Sequence, residues 1–179
     1  MRNQTKSLAL SALFAALTAV GAFLRLPLGA LSLTLQFLFT ALAGVVLGPK
    51  WGAVSQAVYG ALGLVGLPVF TQGGGPGYVF QPSFGFLLGL IPAAAVIGAL
   101  AGTEGAPRRV APACLAGLAV LYLVGLPYMG LILNVYLGKG LSAVAILKAG
   151  MLVYLPGDAL KILVAAVVSP ALCRAVKRA

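Results

Sequence analysis

Histidine is absent from this 179-residue chain, acids number two and cysteines two, and charged residues of either sign make up only 8%. Each shortage excludes something. Two cysteines cannot build a disulfide scaffold, and Cys114 and Cys173 read as small buried hydrophobes near membrane boundaries. Without histidine and with so few acids and thiols, the usual metal-ligand sets cannot be assembled. A soluble domain carries about 25% charged residues, so this chain is too poor in charge to solvate a surface.

What is there instead is apolar: 61% of the residues are hydrophobic and the mean hydropathy is +1.10. A helix crossing the hydrocarbon core needs about 20 apolar residues. Six such helices would consume about 120 residues, which leaves short loops and no separate water-soluble domain. The expected fold is therefore all-α, one membrane domain over residues 1–179 with six transmembrane helices in a compact bundle.

The net charge of +10 would suggest nucleic acid in a soluble protein. Here the basic residues are scattered at the edges of hydrophobic runs, with neither a basic stripe nor interleaved aromatics. They read as topology signals, and nucleic acid is not an expected partner.

Charge-free stretches place the spans at about residues 7–24, 32–47, 51–65, 82–101 and 110–137, with the last running from 142 to just before Arg174. Proline and glycine mark the breaks, at Arg25-Leu26-Pro27-Leu28-Gly29, at Gly48-Pro49-Lys50 and at Leu67-Pro68 with the 73–77 glycine run. The first run follows Arg2 and Lys6 as a signal peptide would, but its length and the spans after it favour a retained helix. With six spans both termini share a side, together with Arg2, Lys6, Lys50, Arg108, Arg109, Arg174, Lys177 and Arg178. Arg25, Lys139 and Lys148 fall opposite, so the positive-inside rule puts both termini in the cytoplasm. No fixed-period repeat is visible, nor a matching pair of broken helices such as inverted-repeat transporters carry.

Asp158 and Lys161 violate the apolar pattern inside the last span. Insertion scales charge about 2.5–3.5 kcal/mol for each such residue at a helix centre. Spaced i and i+3, they share a face and can neutralise each other, with Tyr154, Met151 and Ala165 on the same face. Pro156 removes a backbone donor, so a kink is expected there. The plain alternative is a self-paired bridge that only fixes packing. A carboxylate beside an ammonium otherwise suits a small polar solute offering donors and acceptors together, such as an amide, a urea or an amino acid.

Further polar residues support a cavity. Ser55, Gln56 and Tyr59 cluster in the third span, Gln56 and Tyr59 being deep enough for ligand contact. Thr34 and Gln36, near a span end, read equally well as interfacial anchors, as do Asn134 and Tyr136; Tyr122 and Tyr128 mark the fifth span. The 66–81 connection is long for this chain and is expected to act as an outer lid rather than a slack loop. Phe70, Tyr78 and Phe80 give it aromatic surface, while Gln72 and Gln81 give it hydrogen-bonding groups.

The first helix has two small-residue faces, Ala9-Ala12-Ala16-Ala19 and Ser11-Ala15-Thr18-Ala22, which permit close helix approach within the molecule or to a partner. The pairs Gly44/Gly48, Gly85/Gly89 and Gly98/Gly102 have the same spacing and are expected at internal contacts.

From Pro27 to Phe70 the sequence PLGALSLTLQFLFTALAGVVLGPKWGAVSQAVYGALGLVGLPVF resembles the BioY family, the biotin-capture (S) components of energy-coupling factor (ECF) transporters. The likeness continues through the glycine-rich loop, QPSFGFLLG at 81–89, and Pro156-Gly157-Asp158-x-x-Lys161. It implies a six-helix protein of a bacterial or archaeal cytoplasmic membrane that captures biotin from outside. It implies as partners a transmembrane coupling protein and two ATPase subunits, with ATP used only by the latter and no cofactor on this chain. The family's ligand-associated Asp and Lys correspond to Asp158 and Lys161. Its alanine motif, which docks the coupling protein, corresponds best to Ala12 and Ala16, with Ala15 and Ala19 next.

Biotin carries a ureido ring with N–H donors and a carbonyl, an apolar thiophane ring and a carboxylate tail. Asp158 suits a ureido N–H, and Lys161 suits either the carbonyl or the carboxylate. Phe70, Tyr78, Tyr122 and Tyr154 offer aromatic cover for the rings. Gly138-Lys139-Gly140 lacks the other elements of a phosphate-binding loop, and no H-E-x-x-H or G-x-S-x-G is present. Two competing readings remain: an autonomous channel or proton-coupled carrier in which Asp158 titrates, and a membrane enzyme. The enzyme fares worst, because one intramembrane acid provides neither paired acid/base nor metal chemistry.

Overall fold

The computed structural model describes residues 4–28, 31–102 and 104–178. Arg2, used above for topology, and Gly29 of the first turn lie outside them. The elements in chain order are α1 (Gln4–Phe23), β1 (Arg25–Leu28), β2 (Leu31–Thr34), α2 (Gln36–Leu64), α3 (Phe84–Ala101), α4 (Pro107–Leu131), α5 (Ala143–Leu147) and α6 (Leu155–Arg178). A 3₁₀ segment, Pro76–Phe80, precedes α3, and single π turns extend α4 over Ile132–Tyr136 and α5 over Lys148–Leu152.

Five helical stretches among the described residues are long and apolar enough to cross a membrane: Gln4–Phe23, Gln36–Leu64, Phe84–Ala101, Pro107–Tyr136 and Ala143–Lys177. The difference from the expected six lies in α2. Gly48 interrupts it at φ 81°, ψ −179°, a conformation that side chains with a Cβ disfavour. Pro49 follows at once, as suits a first helical position where no N–H is needed.

The chain reverses at this break. Gln36 donates to the Tyr59 hydroxyl at 2.8 Å, and the Thr40 hydroxyl donates to Gln56 Oε1 at 3.0 Å. Gly44 lies so close to Gly52 that a Cβ on Gly52 would stand 2.9 Å from the Gly44 Cα. These pairs mirror one another about position 48, so the two halves of α2 run antiparallel.

Small residues set the remaining approaches. A Cβ on Gly98 would meet the Gly48 carbonyl carbon and Pro49 nitrogen at 2.5 Å, and one on Gly44 would meet the Ala94 oxygen at 2.6 Å. Gly85 and Gly89 give way to Tyr128 and Leu121 of α4. The expected internal use is thus seen at Gly44, Gly85, Gly89 and Gly98, where small residues let helices approach closely, whereas Gly48 and Gly102 serve as positive-φ positions at helix breaks. Leu8, Leu13, Leu123 and Val167 are exposed on the outside, where lipid tails are an adequate solvent.

The first turn of α1 and the last turn of α6 lie at one end of the bundle, since Lys6 Nζ donates to the Val176 carbonyl at 2.6 Å. Ser11 donating to the Trp51 carbonyl at 3.2 Å brings the Gly48 turn to the same end. The β hairpin, pairing Arg25 with Thr34 and Leu28 with Leu31, and the 66–81 connection belong to the opposite end. The hairpin was unforeseen in the sequence, being too short to give an alternating pattern.

Candidate functional site

Asp158 sits in the first turn of α6, just after an irregular point in the last helical stretch. After α5 and its π turn come two turn residues, 153–154, and α6 begins at Leu155 with Pro156 in its first turn. Proline is tolerated there because the first N–H groups have no intrahelical partner. Asp158 consequently lies beside a helix N-terminus, where the macrodipole favours negative charge. The irregularity expected at Pro156 takes the form of this π turn and two-residue turn within the Ala143–Lys177 stretch, and the place of Asp158 in the first turn of α6 lowers the cost of burying the carboxylate.

Lys161 Nζ donates to Asp158 Oδ1 at 2.7 Å, and the Tyr122 hydroxyl, from α4, donates to Oδ2 at 2.5 Å. Asp158 is 4% exposed and Lys161 7%. The pair is therefore internally neutral, and both carboxylate oxygens already have one donor each. That is the arrangement a charge removed from water requires.

The pair opens on a cavity of about 100 Å³, several times the space that a single water needs. Tyr122 lines it from α4, Asp158 and Lys161 from α6, and Tyr154 from the turn just before α6. Thr34 and Gln36 line it from the junction of β2 and α2, so these supposed interfacial anchors belong to its wall. Tyr78 lines it too, with Thr71 and Ser83, which the sequence did not single out. Leu33, Phe37, Phe86, Leu87, Leu90 and Leu121 provide the apolar remainder.

Four candidates fall outside the wall. Gln56 and Tyr59, each 1% exposed, belong to a hydrogen-bonded layer behind it. Gln56 Nε2 donates to Thr18 on α1 at 3.3 Å and to Ser55 at 3.0 Å, while Oε1 accepts from Thr40. The Tyr59 hydroxyl accepts from Gln36 and donates to the Val69 carbonyl at 3.0 Å. Their effect is to fix Gln36, which does reach the cavity. Phe70 is buried in the space left by Gly63, its ring 5.5 Å from that of Tyr59 and 4.6 Å from that of Tyr78. It seats the lid instead of facing the cavity. Gln81 is half-buried, and its backbone accepts from Phe84 N–H at 3.0 Å and donates to Tyr78 at 2.9 Å.

The 66–81 connection is pinned along its length. Gly75 N–H donates to the Gly63 carbonyl at 2.7 Å, and Tyr128 donates to the Val79 carbonyl at 2.5 Å. At the other edge, Leu33 of β2 packs with Met129, Leu133 and Tyr154, and its side chain occupies the space a Cβ on Gly157 would need. The remaining polar residues of the fifth span fasten loops: Asn134 exchanges hydrogen bonds with the Leu141 backbone at 2.7 and 2.8 Å, and Tyr136 stacks on Phe80.

On α1 the two small faces separate. Ser11, Ala15, Thr18 and Ala22 are buried against the bundle, whereas Ala9, Ala12 and Ala16 are exposed and Ala19 is half-buried. Ala15, at 2% exposure, is thereby withdrawn from any docking surface. Among the described residues no group of three or more metal-ligating side chains comes together.

The sequence model of the BioY family matches residues 1–178. This chain belongs to the BioY family. A probable biotin transporter BioY of Lysinibacillus sphaericus is 49% identical over 138 residues, 76% of this chain and 70% of that one. The biotin transporter BioY of Thermotoga maritima is 35% identical over 158 residues, 88% and 89% of the two chains. The crystal structure of the S component for biotin from an ECF-type ABC transporter superposes with a TM-score of 0.72, at 27% identity over 97% of this chain and 95% of that one. A folate-bound FolT shares the fold, with a TM-score of 0.61 at 24% identity. The BioY family is one of transporter components and not of enzymes, and this member is a multi-pass membrane protein.

Proposed function

We propose that this BioY-family protein captures biotin for uptake, as the substrate-binding S component of an ATP-driven ECF transporter. The observation that carries the reading is the buried Asp158–Lys161 pair, held by Tyr122 and open to a cavity walled by aromatic and apolar side chains. A salt bridge serving only to pack helices needs no such space beside it. Biotin matches the lining in kind: a ureido group for the charged pair, an apolar bicycle for the Phe86 and Leu90 region, and a carboxylate tail. Tyr154, Tyr122 and Tyr78 are the aromatic contacts, with Gln56, Tyr59, Phe70 and Gln81 acting behind the wall.

The same reading takes the two antiparallel halves of α2 as separate passes, giving six. The basic residues Lys6, Lys50, Arg108, Arg109, Arg174 and Lys177 cluster at the end that carries the first turn of α1 and the last turn of α6, which supports a cytoplasmic location for that end in a cell membrane. The cavity end then faces outward, where the vitamin arrives. The sequence carries no phosphate-binding loop motif, so the energy is assigned to a transmembrane coupling protein and two ATPase subunits. Ala12 and Ala16, exposed on α1, are the proposed docking positions, with Ala19 at the margin.

Equilibrium binding of labelled biotin to the purified chain in detergent tests the reading. Saturable, tight binding is expected, with a large loss in Asp158→Asn and Lys161→Ala variants that still fold. Absence of binding by the wild type overturns it. Reconstituted uptake that follows a pH gradient and ignores ATP would favour the autonomous carrier instead.

A further inference from the structure

A second cavity, of about 200 Å³, lies away from the ion pair, in the turn between α3 and α4. Ala101, Gly102, Glu104, Ala106, Arg108 and Arg109 line it. Gly102 has a φ of 72°, and a Cβ there would stand 3.3 Å from a terminal guanidinium nitrogen of Arg109. Glycine at this position lets the arginine lie back over the turn. Among the described residues neither guanidinium has an ion-pair or hydrogen-bond partner, and neither has the Glu104 carboxylate. The lining therefore holds two positive charges and one negative, all of them uncommitted.

A Cβ on Gly105 would stand 2.8 Å from Cys173 Sγ, which sets this turn beside the last turns of α6 at one end of the bundle. The membrane-crossing helices end there, so the turn lies at the level of lipid headgroups. Apolar surface leads away from it into the bilayer. From Pro112 to Leu123 the exposed residues of α4 are Pro112, Leu115, Ala119 and Leu123. With Arg108 they are spaced by four, three, four and four residues, which places all five on one helical face. Leu100, in the last turn of α3, is exposed as well.

We propose that Arg108 and Arg109 form a headgroup site for an anionic phospholipid, whose acyl chains run along the Pro112–Leu123 face. A guanidinium fork takes two phosphate oxygens at once, and two forks can hold a phosphodiester. The excess of one positive charge in the lining matches a headgroup of one net negative charge, such as phosphatidylglycerol. Glu104 disfavours a doubly charged phosphate. The site stands apart from the Asp158 cavity and does not depend on what fills it.

Native mass spectrometry of the purified full chain in detergent, given equal amounts of phosphatidylglycerol and phosphatidylcholine, tests the assignment. The wild type is expected to retain one phosphatidylglycerol in preference to phosphatidylcholine. Arg108→Gln/Arg109→Gln should lose about tenfold or more in affinity for phosphatidylglycerol, as for other hydrogen bonds to a charged group, with biotin binding unchanged. Lys50→Gln/Lys177→Gln removes the same charge from the same end and should keep the preference. Should the arginine double variant fail to fold, Arg109→Gln alone is read in the same way. No preference in the wild type, or equal losses in the two double variants, overturns the site. Displacement of the lipid by inorganic phosphate assigns the pocket to a soluble anion and overturns the lipid reading. So does unchanged lipid binding in the arginine variant, and weaker co-purification with the coupling protein would then give the arginines to a protein partner.

Discussion

The Tyr122 hydroxyl on α4 donates to Oδ2 of Asp158 on α6 at 2.5 Å, so the carboxylate is held from two helices at once, with Lys161 on its other oxygen. Tyrosine is the side chain that can do this from across a cavity, presenting an apolar ring and a single donor. Tyr122→Phe keeps the ring and removes the donor. Biotin affinity is expected to fall by about tenfold or more, as for other hydrogen bonds to a charged group, with the fold unchanged in size-exclusion profile. Titration calorimetry measures it.

Breaking the pair and replacing the pair should have opposite consequences for stability. Lys161→Ala strands a buried carboxylate, and losses of about 3–5 kcal/mol are usual in that case. Asp158→Leu combined with Lys161→Met removes both charges and should recover most of that stability. Neither variant is expected to bind biotin. Thermal unfolding in detergent beside equilibrium binding separates the two effects, and a double variant as unstable as the single one would contradict the argument.

Gly98 and Gly60 form a matched contrast in helix packing. A Cβ on Gly98 would press on the Gly48–Pro49 backbone at 2.5 Å, whereas one on Gly60 would meet nothing within 4 Å. Gly98→Ala is expected to cost about 1–3 kcal/mol as overpacking. Gly60→Ala should be neutral or stabilising, since alanine is preferred to glycine in helices by about 1 kcal/mol. Melting temperatures of the two variants decide.

Phe70 anchors the lid beneath Gly63 and beside Tyr59 and Tyr78. Phe70→Ala should leave the bundle folded and loosen the 66–81 connection, because a buried phenylalanine cut to alanine forfeits about 3–5 kcal/mol of local packing. The expected signature is faster biotin dissociation with a smaller change in association, read by stopped-flow fluorescence.

The two faces of α1 predict separable phenotypes. Ala12→Leu and Ala16→Leu point outward and should leave biotin binding intact while weakening co-purification with the coupling protein. Ala15→Leu, on the buried face, should instead lower stability with or without a partner. Normal assembly of the Ala12 and Ala16 variants would remove the docking proposal.

Much of the architecture was legible because lipid imposes a severe rule on sequence. Charge must be absent across each span, and the breaks must fall where proline and glycine allow them, so Gly48-Pro49 announced the reversal in α2. Asp158 and Lys161 stood out for the same reason, as two charges one helical turn apart in an otherwise silent segment. Pro156 announced an irregularity, though its form, a π turn and a two-residue turn ahead of Asp158 in the first turn of α6, depended on how that π turn resolved the lost hydrogen bonds.

Which polar residues face the ligand was a different kind of question. Gln56 and Tyr59 have the depth of ligand contacts, yet the fold-back about Gly48 turns them toward Thr40, Gln36 and Thr18. Thr71 and Ser83 sit in unremarkable stretches of sequence, and only the 3₁₀ turn carrying Tyr78 gathers them into one row. The sequence by itself determined the solvent this chain lives in, the limits of most of its helices and the ionisable pair at its centre, since each follows from the local cost of charge and of unpaired backbone in lipid. The tertiary structure alone decided the cavity wall, because facing inward or backward depends on contacts between segments tens of residues apart.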